Sequence, residues 1–174
     1  EAFFVEIDKA AKAHGIALIA NERYSPKDTS VLGQTLKLIA AKPDAVVIGA
    51  SGTPAALLAT TLTERGYKGK LYFNHGVANN DFLRVGGKDV EGAYVPARQV
   101  IVARPLPDSH PAKRRALEYT KLYEAAFGPG SVSAFGSYTW DACLLIANAV
   151  GAVGAKAQPG TVEYRRALRD AIES

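Results

Sequence analysis

Apolar positions along the first half of the chain change period repeatedly, and each change marks an element. Residues 1–14 place Phe3, Phe4, Ile7, Ala10 and Ala11 on one face with Glu6, Lys9 and Lys12 elsewhere, the spacing of an amphipathic helix that ends at Gly15. Residues 16–20, Ile-Ala-Leu-Ile-Ala, then read as a short buried strand. The turn Ser25-Pro26-Lys27-Asp28-Thr29-Ser30 delivers a second helix, with Leu32, Leu36 and Ile39 on a shared face and a stop at Lys42-Pro43. Residues 45–49 are a second strand. Thr53 and Pro54 open a third helix, Thr53 as the capping hydroxyl and Pro54 at the first helical position, where no donor is lost. Ala55, Leu58 and Leu62 form its inner face, Gly66 closes it, and residues 70–74 are the third strand. Strands separated by helices long enough to cross over should lie parallel.

After Asn74-His75-Gly76-Val77 the pattern gives a polar turn, a short helix over residues 81–85 and an edge strand over residues 92–96. From there the character changes. Residues 111–127, 137–153 and 161–173 read as three helices joined by Gly-, Ser- and Pro-rich turns. The first carries Ala112, Ala116, Tyr119, Tyr123 and Phe127 on one stripe; the second is apolar nearly all round and needs cover on several sides. The expected fold class is therefore α/β, a Rossmann-like parallel sheet flanked by helices, with additional helices after it. Residues 1–98 form the α/β half, residues 99–104 a crossing and residues 105–174 the helical half. An α/β unit normally begins with a strand and this one begins with a helix, so the chain reads as a fragment.

Composition narrows the function classes. The 174 residues suffice for a real core, and 48% of them are apolar, which excludes a disordered tail. The net charge of +4 is scattered, apart from Lys113-Arg114-Arg115 and Arg165-Arg166 on helices, and no basic stretch is interleaved with aromatics. No nucleic-acid partner is expected. No apolar run is long enough to span a bilayer. The single cysteine, Cys143, cannot form an intrachain disulfide, and its neighbours Ala142, Leu144, Leu145 and Ile146 suggest a buried, inert thiol.

Catalytic chemistry finds little support. Gly49-Ala50-Ser51-Gly52 falls short of the G-x-S-x-G elbow, no pair of ligands has the H-E-x-x-H spacing, and neither G-x-x-x-x-G-K-[ST] nor G-x-G-x-x-G occurs. No metal or cofactor is called for. Of the histidines, His14 sits beside a helix-ending glycine and His110 beside Pro111, which suggests capping or solvent exposure; His75 alone lies at a strand end. Two strand ends remain, Ser51-Gly52-Thr53 and Asn74-His75-Gly76, which come side by side if their strands are neighbours. Ligands of open α/β sheets settle beyond the carboxyl ends of the strands, and a helix start with free N–H groups favours an anionic group. Hydroxyls, an amide, an imidazole and open glycine backbone equip these six residues to bind a small polar ligand, not to transform it.

Further landmarks carry a family resemblance. Asp28-Thr29-Ser30, Lys42-Pro43-Asp44-Ala45-Val46-Val47, Gly66-Tyr67-Lys68-Gly69, Val90-Glu91-Gly92-Ala93-Tyr94, Leu106-Pro107-Asp108 and Trp140-Asp141-Ala142 resemble, in order and spacing, the substrate-binding proteins of branched-chain amino-acid-type ABC importers. The resemblance covers almost the whole chain. It implies a type I periplasmic binding protein: two α/β lobes joined by three crossings, closing on a ligand and docking on permease subunits. Residues 1–98 would be most of the second lobe and residues 105–174 helices of the first. The remaining strands would precede Glu1, and the last crossing would follow Ser174.

The resemblance also implies second-lobe ligand contacts near Ser51 and at His75. Amino-acid-binding members are similar but carry an acidic residue at the second place, facing the ligand's ammonium group. His75 departs from that pattern, because an imidazole supplies at most a neutral acceptor and repels a cation when charged. The implied function is extracytoplasmic or periplasmic binding of a small carboxylated metabolite, an amino acid, keto acid or aromatic acid, for delivery to ABC permease subunits. A sensor or repressor effector domain of the same fold, and a Rossmann-like enzyme, are the alternatives.

Overall fold

The structure is a computed structural model that describes residues 2–174. Two compact units divide the chain, Glu1–Ile101 and Val102–Ser174.

Helix α1 (Ala2–Ala13) opens the first unit and closes through the left-handed Gly15 (φ 67), with the Ile16 N–H donating back to the Ala11 carbonyl at 2.9 Å. Residues 16–20 correct the sequence reading. They run as exposed, irregular chain and join no ladder, because a strand exists only through backbone bonds to a neighbour and none lies beside them among the described residues.

Helix α2 (Leu32–Ala40) turns a different face inward from the one its leucines suggest. Val31 and Thr35 are fully buried, Leu38 and Ile39 partly, while Leu36 is 52% exposed. At 100° per residue, Leu36 sits one step round from Thr35 and misses the core. The helix ends at Ala41, and Lys42 takes the left-handed conformation (φ 53) before Pro43.

Strand β1 (Ala45–Ile48), helix α3 (Thr53–Glu64) and strand β2 (Lys70–Phe73) then form a βαβ unit. The two strands are parallel, in the register Ala45↔Lys70 to Ile48↔Phe73. Alternation sends Val46, Ile48, Leu71 and Phe73 to one face, in one core cluster with Ala55, Ala56, Leu58, Ala59 and Leu62 of α3. Helix α4 (Asn80–Gly86) adds Phe82, whose ring meets Phe73 edge-on at 4.9 Å. The expected edge strand at residues 92–96 shrinks to one residue. Tyr94 donates to Leu71 O and accepts from Phe73 N, both at 2.9 Å, but Gly92 is left-handed and Pro96 has no N–H, so pairing cannot extend.

In the second unit, α5 (Lys113–Phe127) buries Tyr119, whose ring packs 5.6 Å from Trp140 of α6 (Ala134–Val153) and 5.3 Å from Tyr123. Helix α7 (Val162–Glu173) is capped by the Thr161 hydroxyl, which accepts from the Tyr164 N–H at 3.1 Å, and packs on α6. The cover expected for α6 is partial: Ala134, Ser137, Ala149 and Val153 are buried, but Leu145, Ile146 and Val150 are exposed. Cys143 lies on that bare side and is exposed, which corrects the reading of a buried thiol.

Two predictions follow from this packing. Thr35 is fully buried and its hydroxyl has no hydrogen-bond partner. Thr35→Val keeps the shape and removes the stranded group, so it should raise unfolding stability by about 1 kcal/mol in a urea titration; a loss of stability would show that the hydroxyl is satisfied in solution. The outer edge of β1 has no ladder partner among the described residues, and Val47 stands 45% exposed beside it. Such edges pair between chains and are blunted by lysine. The parent chain should show concentration-dependent association in sedimentation velocity that Val47→Lys reduces; equal association in both would place the contact elsewhere.

Candidate functional site

The site is built where the two parallel strands stop at the same level. Ile48 pairs with Phe73, so the turn after each strand emerges beside the other. On the β1 side, Gly49 leaves room for the Phe3 ring of α1, which a Cβ would meet at 2.5 Å. Ala50 and Ser51 follow, and then Gly52 turns left-handed (φ 63, ψ −147) to start α3. Here the structure corrects the capping assignment: Gly52 is the cap, Thr53 the first helical residue, and no side chain caps the helix. A left-handed glycine reverses the chain one residue sooner than a Thr cap would.

That shift changes the electrostatics of the helix start. Pro54 has no N–H and the Ala55 N–H donates to Gly52 O at 3.1 Å, so two of the first-turn positions supply no free donor. Anion binding here thus draws less on the helix start than the sequence suggests. The hydroxyls of Ser51 and Thr53 are on exposed residues and make no hydrogen bond to another described residue.

On the β2 side, Asn74 caps a 3-10 turn, His75–Val77, by accepting from the Gly76 N–H at 2.7 Å. The turns are bonded to each other, Gly52 N–H donating to Gly76 O at 3.3 Å. Gly76 is buried against Ser51, while His75 is exposed. Ser51, Gly52, Thr53, Asn74, His75 and Gly76 are therefore one constellation, as the strand order implies. His110 braces the turn before α5, its Nδ1 accepting from the Ala112 N–H at 3.2 Å, while α5 itself has no side-chain cap. Among the described residues no group of three His, Cys, Asp or Glu could hold a metal.

Two supports escaped the sequence. Tyr24 donates its hydroxyl to the Pro54 carbonyl at 2.9 Å and ties the chain before α2 to the start of α3. Phe3 packs at Gly49, beneath the β1 turn. Both contacts are long-range, and no local motif announces either.

A family profile described as periplasmic binding protein matches residues 2–174. The chain belongs to that family. Among solved structures, a periplasmic binding protein chain such as this one is similar to a protein of Rhodopseudomonas palustris strain CGA009, at 44% identity and a TM-score of 0.87 over 97% of this chain and 47% of that one. An extracellular ligand-binding receptor from Rhodopseudomonas palustris HaA2 is 42% identical, with a TM-score of 0.88 over 97% of this chain and 47% of that one. A putative branched-chain amino acid ABC transporter structure from Rhodospirillum rubrum is 26% identical, with a TM-score of 0.69 over 94% and 43%. No curated protein sequence matches the chain. The chain spans about half the length of the solved relatives it matches, 47% of the first two. The type I periplasmic binding protein fold expected from the resemblance is thus present, as a small parallel sheet among helices. A solute-binding role follows for the family, whose relatives are binding proteins and receptors.

In this periplasmic binding protein the Tyr24 tie can be tested by pH. Burial pushes the Tyr24 hydroxyl up from 10.0 to about 12. Because the folded value lies above the unfolded one, the stabilisation is complete below the unfolded value of 10.0 and is lost as pH rises through about 12. Tyr24→Phe should cost about 1 kcal/mol at neutral pH, and the gap between parent and variant should close across that window in denaturant titrations. A gap that persists at the top of the window would mean the hydroxyl is not held by Pro54.

Proposed function

We propose that the chain is part of an extracytoplasmic solute receptor that binds a small carboxylated metabolite and delivers it to the permease subunits of an ABC importer. On this reading residues 1–98 supply second-lobe contacts, residues 99–104 a hinge crossing and residues 105–174 helices of the first lobe. The observation that supports the reading is the bonded pair of turns, which brings the exposed residues Ser51, Thr53 and His75 to neighbouring strand ends. Among the described residues, the two turns themselves carry no carboxylate for an ammonium group. A ligand carboxylate would accept from the hydroxyls and the Thr53 N–H, and His75 would donate to a further ligand oxygen, a keto, hydroxyl or aromatic-acid oxygen. The ligand then shifts the protein toward its closed form by contacts made only there.

Membership of a family of binding proteins supports solute binding without chemistry; no helix among the described residues is long and apolar enough to cross a membrane. Calorimetric titration with valine and its matching keto acid, α-ketoisovalerate, tests the ligand class. His75→Ala should weaken the keto acid by about 1 to 3 kcal/mol, the cost of leaving a ligand oxygen unmet once the closed form has excluded water from it. His75→Glu should shift preference toward valine, since an anion then replaces a donor at that point. Unchanged affinities in both variants would remove His75 from the site.

A further inference from the structure

Gly76 is a glycine that its own backbone does not demand. Gly52 needs φ 63, but Gly76 lies outside the left-handed region, and its turn would accept other residues on conformational grounds. Space is what excludes a side chain. A Cβ at position 76 would land on the Ser51 Oγ and lie 2.8 Å from both the Ser51 Cβ and the Asn74 Oδ1. The hydroxyl could rotate away, yet the Ser51 Cβ is carried by backbone whose next amide is bonded to Gly76 O at 3.3 Å. The Asn74 amide is also committed, since it accepts from the Gly76 N–H at 2.7 Å. A methyl group at 76 must therefore push the Ser51 turn off the β2 turn.

We propose that Gly76 is a positioning residue for Ser51: the absent side chain seats Ser51 against the β2 turn and aims its exposed, otherwise unbonded hydroxyl at the ligand beside His75. Positions 51 and 76 are consequently one unit, in which bulk at 76 can be admitted only by removing it at 51. This inference rests on the reading of the paired turns as the ligand site. It adds a specificity rule to that reading, because the Ser51 hydroxyl offers a donor and an acceptor at a point fixed by the strand register, whereas a displaced Ser51 would leave a ligand oxygen unmet.

The test is a double-mutant cycle on Ser51→Gly, Gly76→Ala and the pair, with thermal midpoints and calorimetric titration of α-ketoisovalerate and, as a second probe, benzoate. Ser51→Gly should weaken the better-bound probe about tenfold with little change in midpoint, and Gly76→Ala should weaken it at least as much and also lower the midpoint. In the double variant the midpoint should recover toward that of Ser51→Gly, and affinity should stay at the Ser51→Gly level with no further loss. Additive losses, or a Gly76→Ala variant that binds as the parent does while Ser51→Gly does not, would overturn the positioning role and leave the ligand site standing. With the cycle made in the whole receptor that contains this chain, absence of binding by the parent, or affinities unchanged in all three variants, would overturn the reading of the site itself and the inference with it.

Discussion

Four residue pairs of parallel ladder decide where everything else in the first unit goes. Pairing Ala45 with Lys70 and Ile48 with Phe73 ends both strands at one level, so the chain must leave them through two turns that lie side by side. The alternation that comes with the ladder sends Val46, Ile48, Leu71 and Phe73 into the core under α3, which fixes the register further, since a slip of one residue would send all four to the other face. The bond from Gly52 to Gly76 and the seat of Ser51 beside Gly76 are consequences of that register.

The helices were legible because their signals are local. Glycines and prolines stand at the boundaries, and the inner face of α3, with Ala55, Leu58 and Leu62 buried, is the one that period 3.6 picks out. The errors are of a different kind. An apolar run such as residues 16–20 shows that a segment can form a strand, but not that a partner is present to bond it. In α2, Leu36 and Thr35 differ by one step of rotation, and the core takes the threonine although the leucine is the more hydrophobic. Cys143 fails similarly, because apolar neighbours along a helix do not say which side of it is covered.

The candidate site was readable in outline for the same reason that β1 and β2 were. Consecutive βα units place successive strand ends together, so naming Ser51-Gly52-Thr53 and Asn74-His75-Gly76 required only that the strands be neighbours. Its detail was not readable. The left-handed Gly52 moves the helix start by one residue, and with Pro54 and the bonded Ala55 it reduces the free N–H groups that the sequence suggested for an anion. Tyr24 reaches Pro54 across thirty positions of chain, a contact that no sequence window contains.

The proposed receptor would hold a small carboxylate and release it unchanged. Native mass spectrometry of the protein after incubation with a mixture of keto, amino and aromatic acids addresses that claim most directly, because it reports the mass of whatever is bound and of whatever is released. The expected result is one carboxylated acid per receptor, recovered at its original mass after denaturation. A bound or released species of altered mass, or retention of none of the acids, would contradict it.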